Sequence, residues 1–226
     1  MMQSNLFMLH FAGGSSYSYN FMAPHLKKLQ THFLELPGRG RRMTEKMADT
    51  INDAKNDILK QIQPKIIPNK SIIYGHSMGA LLSLLVTSEL EKRNTPPKQL
   101  IVTGNAGPGL PNKKRTFEAP REEFKSELKK LGGIPEEFFT VNELFDFYEP
   151  ILRSDFKLSY QMSQQDDLTI TTPIHAIMGT NEEWRENIQN WRKYTSGNFE
   201  YELLQGDHFF IFNNAKKIAD IIMRYA

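Results

Sequence analysis

The chain has 226 residues, enough to bury a substantial core as one large α/β domain and short for two. It contains no cysteine, which removes disulfide scaffolds, thiolate metal sites and cysteine nucleophiles, and fits a reducing compartment. With 28 basic and 26 acidic side chains the net charge is +2, too near balance for a nucleic-acid-binding field.

From the N-terminus, Met1 to Asn5 holds no Lys or Arg, and the apolar run Leu6 to Leu9 is too short for the core of a signal peptide. No stretch approaches the roughly 20 apolar residues of a membrane span. The expectation is a cytoplasmic protein with no membrane and no nucleic-acid partner.

Six short apolar runs then read as buried strands: Leu6 to His10, Phe33 to Leu36, Ser71 to Tyr74, Leu100 to Thr103, Ile174 to Met178 and Glu200 to Leu204. Helical patterns lie between them. Ile51, Ala54, Ile58 and Ile62 share a face after a cap at Thr50, Met78 to Val86 is apolar almost all round, and Ala215, Ile218, Ala219 and Ile222 line a C-terminal helix. This alternation predicts a mostly parallel central sheet with helices on both faces and ligands at the carboxyl ends of its strands. From about 105 to 167 no strand is visible. Helical stretches at Arg121 to Leu131, Glu136 to Phe139 and Asn142 to Leu152 suggest a helical lid inserted into a single domain spanning 1–226.

Gly75-His76-Ser77-Met78-Gly79 sits between a strand pattern and the apolar helix. A G-x-S-x-G turn there exposes the serine hydroxyl, because small flanking residues permit a strained bend. Serine is a weak nucleophile at neutral pH and needs a histidine to take its proton and an acid to orient that histidine. His208, after the last strand pattern in Gly206-Asp207-His208-Phe209-Phe210, is the candidate base. His10, His25, His32, His76 and His175 read better as packing or surface histidines. Two backbone N–H groups should receive the developing oxyanion, one from Met78 and one from Ala12 in the turn His10-Phe11-Ala12-Gly13-Gly14. For the acid, Asp155, Glu182, Glu183 and Asp207 are open; Glu182, just beyond the strand Ile174 to Met178, is favoured. No metal-site motif and no nucleotide fingerprint is present, so no metal or other cofactor is implied.

Several separated segments resemble one family, the type II thioesterases that accompany nonribosomal peptide and polyketide synthases. They are Phe11-Ala12-Gly13-Gly14, Leu36-Pro37-Gly38-Arg39-Gly40-Arg41-Arg42, Gly75-His76-Ser77-Met78-Gly79-Ala80, Leu131-Gly132-Gly133-Ile134-Pro135, Leu152-Arg153-Ser154-Asp155-Phe156 and Gly206-Asp207-His208-Phe209-Phe210. They follow the family's order and span nearly the whole chain. The resemblance implies an α/β-hydrolase that removes acyl groups from the phosphopantetheine arm of acyl or peptidyl carrier proteins. The family's acid is usually Asp after the penultimate strand, where this chain has Gly179-Thr180-Asn181-Glu182-Glu183.

Two rival functions share these motifs: a carboxylesterase or lipase-like hydrolase of small esters, and an inactive hydrolase-fold protein that only binds a synthase subunit. For carrier delivery, Arg39, Arg41 and Arg42 and the lid cluster Lys113, Lys114 and Arg115 are the basic candidates. Phe124, Leu128, Leu131, Phe138, Phe139, Leu144, Phe145 and Tyr148 supply more apolar surface than a solvated connector needs, and some of them are expected to line an acyl channel.

Overall fold

In the computed structural model, which describes residues 3–110 and 114–226, the six apolar runs pair into one sheet. Its strands are β1 (Asn5–Leu9), β2 (Gln30–Leu34), β3 (Ile72–His76), β4 (Gln99–Thr103), β5 (Ile174–Gly179) and β6 (Phe199–Leu204). They lie in the order β2-β1-β3-β4-β5-β6 with each pairing parallel. All residues of β1, β3, β4 and β5 are buried, as interior parallel strands covered on both faces must be. β2 begins earlier than its apolar run: Gln30, Thr31 and His32 pair with Asn5, Leu6 and Phe7. An edge strand tolerates these polar side chains, so the apolar run marks its end and not its body.

One face is covered by α1 (Ile51–Ile62) and α2 (Met78–Lys92), packed on Phe7, Leu9, Ile73, Leu100 and Val102. Thr50 caps α1 as expected: its hydroxyl accepts the Asp53 N–H at 3.1 Å, and the Asp53 carboxylate accepts the Thr50 N–H at 3.1 Å. The other face buries Ile218, Ala219, Ile221 and Ile222 of the C-terminal helix with Tyr19, Met22 and Leu26. A ten-residue 3-10 stretch, Arg185–Tyr194, escaped the helical-period reading; it seals the first core with Ile188 and Trp191.

Between β4 and β5 lie α3 (Arg121–Lys130), α4 (Glu137–Thr140) and α5 (Asn142–Ser163), and α6 (Ala215–Met223) closes the chain. Phe124, Leu128, Phe139, Phe145 and Leu152 form a small core of their own within this insertion. α5 continues past Leu152, and its far half contributes Leu158 and Met162 to the main core. One helix is thus shared by the insertion and the sheet. Among the described residues no helix is long and apolar enough to cross a membrane.

The strand order reverses at β1 and β3, which are neighbours in the sheet although β2 and α1 separate them in sequence. Chains leaving two such strands depart to opposite faces and open a crevice at their carboxyl ends. The loop after β1 and the turn after β3 face each other there.

Candidate active site

Ser77 occupies the turn from β3 into α2 with φ 57° and ψ −116°, a strained conformation for a residue with a side chain. Its N–H donates to the Thr103 carbonyl at 2.8 Å, tying the turn to β4. Close approach explains the flanking glycines. A Cβ on Gly75 would run into the Gly79 carbonyl, and one on Gly79 into the Leu9 carbonyl. Both glycines thus face backbone, and Ser77 stands at the head of α2 with its hydroxyl toward His208.

There the hydroxyl meets His208, with Ser77 Oγ 3.0 Å from His208 Nε2. His208 Nδ1 lies 2.8 Å from Glu182 Oε2. The other Glu182 oxygen, Oε1, accepts the Gly179 N–H at 2.8 Å, so the carboxylate is pinned to the end of β5. Glu182 is 8% exposed and its charge is held by these two bonds away from water. In this geometry Nδ1–H donates to Glu182, which leaves Nε2 as the acceptor for the serine O–H.

The rival carboxylates lie elsewhere. Glu183 is exposed. Asp207 uses Oδ1 to accept the Phe209 N–H at 2.9 Å in its own turn. Asp155 is fully buried on α5 and paired with Arg39, whose Nη2 donates to Oδ1 at 2.9 Å and whose Nη1 donates to Oδ2. That pairing corrects the expectation that Arg39 serves carrier delivery: it is 3% exposed, and removing either partner would strand a buried charge at a cost of about 3–5 kcal/mol. Arg42 is likewise engaged, by Asp57 and Glu45. Arg41 stays exposed, its guanidinium over the Tyr17 ring. Lys114 and Arg115 are exposed, whereas Lys113 lies outside the described residues.

The two expected oxyanion donors are the backbone N–H groups of Met78 and Ala12. Met78 opens α2, and Ala12 belongs to the turn after β1, where the Gly14 N–H closes onto the Phe11 carbonyl at 2.9 Å. Among the described residues neither the Ala12 nor the Met78 N–H donates to a protein acceptor. Two free amides, one of them at the helix N-terminus next to Ser77, suit a developing negative charge.

Two buried histidines frame the site without entering it. His76 Nδ1 is 2.9 Å from Thr103 Oγ1, and its ring stands 5.0 Å from that of His208. Burial, reinforced by the nearby His208, pushes its pKa well below the usual value and keeps it neutral. His10 accepts the Leu36 N–H at Nε2 (3.3 Å) and lies 2.8 Å from the Phe11 carbonyl at Nδ1. Those two bonds require the neutral ring with its proton on Nδ1. Burial and the Arg39 charge lower the pKa of His10 to about 4, in agreement.

The insertion touches the site where glycine permits. A Cβ on Gly132 would strike the Asp207 carboxylate, and one on Gly133 the Phe209 ring, so the turn between α3 and α4 rests directly on the residues flanking His208. Phe124, Leu128 and Phe145 are fully packed within the insertion's own core, which corrects the expectation for these three as channel lining; Leu144 is exposed. Leu131, Phe138 and Tyr148 are half-buried at the margin of that core.

A family model described as the thioesterase domain matches residues 4–225. The gramicidin S biosynthesis protein GrsT of Aneurinibacillus migulanus is 30% identical over 227 residues, which takes in 97% of this chain and 87% of that protein. Among solved structures, YbtT, a type II thioesterase from the yersiniabactin NRPS/PKS biosynthetic pathway, matches with a TM-score of 0.88 at 26% identity, covering 99% of this chain and 92% of that one. The RedJ thioesterase of the prodiginine pathway in Streptomyces coelicolor, 24% identical, shares the fold with a TM-score of 0.89 over 98% of this chain and 85% of its own. The expected α/β-hydrolase fold is present.

Proposed function

Since the chain belongs to the thioesterase domain family, we propose that it acts as a discrete type II thioesterase, releasing acyl groups from the phosphopantetheine arm of carrier proteins that serve nonribosomal peptide or polyketide synthases. The observation that carries this reading is the unbroken chain Ser77 Oγ, His208, Glu182, at 3.0 and 2.8 Å, beside two unengaged backbone amides.

In the reaction, Ser77 Oγ attacks the thioester carbonyl as His208 Nε2 takes its proton. Glu182 offsets the charge of the imidazolium and holds the ring's tautomer, and the N–H groups of Ala12 and Met78 receive the oxyanion. Collapse of the tetrahedral adduct breaks the C–S bond; the pantetheine sulfur leaves with the proton from His208. Water, deprotonated by the same imidazole, then attacks the acyl-serine ester, and the carboxylic acid departs as Ser77 regains its proton. Every proton transferred in these steps passes through His208.

α3, α4 and the near half of α5 would act as the lid under which the acyl chain enters, working in the cytoplasm where the synthases are made. A binding-only role would leave the acid position empty, and the Glu182 carboxylate 2.8 Å from His208 Nδ1 supports the catalytic reading over it. The test is a panel of acylated carrier proteins assayed for release, with matched oxygen esters alongside. Carrier-bound and small thioesters should turn over far faster than the oxygen esters, and a stalled reaction should leave the acyl adduct on Ser77 by mass spectrometry. Comparable ester rates would favour a small-molecule esterase. Ser77→Ala should lose on the order of a million-fold in rate.

A further inference from the structure

The Asp155 carboxylate joins three segments that are far apart in sequence. Its Oδ2 accepts the Gly13 N–H from the turn after β1 at 2.8 Å, both its oxygens accept from Arg39 in the turn after β2, and it is itself carried by α5. We propose that Asp155 and Arg39 are positioning residues for the oxyanion hole, holding the Ala12 N–H on target by anchoring its neighbour Gly13 to α5. The proposal rests on the reading of Ser77 and Ala12 given above.

Peptide planarity makes the argument geometric. The Ala12 N–H belongs to the same rigid plane as the Phe11 carbonyl and points the opposite way. That carbonyl takes bonds from the Gly14 N–H at 2.9 Å and from His10 Nδ1 at 2.8 Å. The following plane, Ala12 to Gly13, is gripped through its own N–H by Asp155. With both planes fixed, Ala12 has no freedom to swing its N–H away from the crevice. A second buried carboxylate, Glu35, staples the later part of the same loop, accepting the Ser16 N–H at 2.8 Å and the Arg41 N–H at 2.9 Å. Among the described residues the Gly13–Asp155 bond is the one hydrogen bond from this loop to α5, and Leu152 of the same helix closes on Gly13 beside it. Misplacing a catalytic contact by a fraction of an ångström weakens the transition state more than it weakens substrate binding.

The deciding variant is the double change Arg39→Met with Asp155→Leu, which removes the ion pair without stranding a charge and so preserves the fold. It should melt within a few degrees of the wild type. Its kcat on a small acyl thioester should fall about ten- to a hundredfold, below the loss from deleting an oxyanion donor outright, with KM within about twofold. Affinity for a trifluoromethyl ketone analogue, whose serine adduct carries the oxyanion, should fall in parallel, and the midpoint of the pH–rate profile should not move. Asp155→Asn, which keeps an oxygen for the Gly13 N–H, should lose less kcat, although it leaves the Arg39 charge unpaired and therefore melts lower than the double variant. If kcat returns to the wild-type value when stability does, or if the analogue binds as before, the proposal is overturned. It is also overturned if Asp155→Asn is as damaging as Glu182→Gln and shifts the pH profile, since Asp155 would then belong to the triad. Turnover surviving in Ser77→Ala would instead refute the underlying reading of the site.

Discussion

Glu182 reaches His208 from the loop that leaves β5, with Oε2 2.8 Å from Nδ1, and the same carboxylate binds the N–H of Gly179. The longer side chain, compared with Asp, is accommodated because the loop turns back on itself: the Glu182 N–H donates to the Gly179 carbonyl at 3.2 Å. Glu182→Gln keeps an oxygen for Gly179 but loses the charge that stabilises the imidazolium. Its kcat should fall by up to roughly 10⁴, by analogy with a serine protease, while the melting temperature barely changes. Glu183→Gln, an exposed change, should leave turnover near the wild type. A mild Glu182→Gln would remove it from the proposed triad.

The buried neutral histidines make the fold acid-labile. An unfolded histidine takes a proton near pH 6.5, whereas folded His10 does so only at about 4. Between those values the unfolded chain binds the extra proton, so stability falls as pH falls through that window. His10 contributes up to about 3 kcal/mol of this loss at its lower end, and His76 acts in the same direction. Melting temperatures measured from pH 7.5 down to 4 should drop steadily below pH 6.5. His10→Gln should show a shallower slope, and an unchanged slope would assign the lability elsewhere.

Phe145 is fully buried against Phe124 and Phe138, with Arg121 and Lys125 over its ring at 4.7 and 4.8 Å. Its truncation to Ala should cost about 3–5 kcal/mol, felt within the insertion as faster amide exchange in α3 and α5. Acyl-chain preference should hold for the fraction that remains folded. A changed chain-length profile at unchanged stability would return Phe145 to the acyl channel.

Lys114 and Arg115 are exposed and can turn to an acidic carrier, since their pairs with half-buried Glu127 and exposed Glu118 are worth at most about 1 kcal/mol each. Charge reversal at both should raise KM for carrier-bound substrate, leave a small thioester untouched, and lose its effect as salt rises. Arg39→Glu should instead damage both substrates alike, because it places a second negative charge beside buried Asp155. Steady-state kinetics at two salt concentrations separates the outcomes.

What the sequence by itself determined is what local chain chemistry controls. Short apolar runs between turn residues sufficed to locate six strands, and apolar pattern to locate α1, α2 and α6, since each follows from burying the apolar side chains of one short segment. The G-x-S-x-G turn was legible because its glycines answer contacts within a few residues or with the adjoining strand, and the place of His208 because it follows the last strand. The acid could be favoured but not chosen, because which carboxylate meets His208 depends on how two loops 26 residues apart fold toward each other. The fate of Arg39 lay further beyond the sequence: its arginine-rich run looks like solvated surface until α5 brings Asp155 across 116 residues to cover it. β2's polar half and the 3-10 stretch with Trp191 were hidden for the same reason, their burial and pairing being supplied by partners remote in the chain. Periodicity reports only that a side chain is apolar. Whether Phe145 lines a channel or fills a core was decided by the helices α3 and α4 that close over it, and no local pattern encodes that packing.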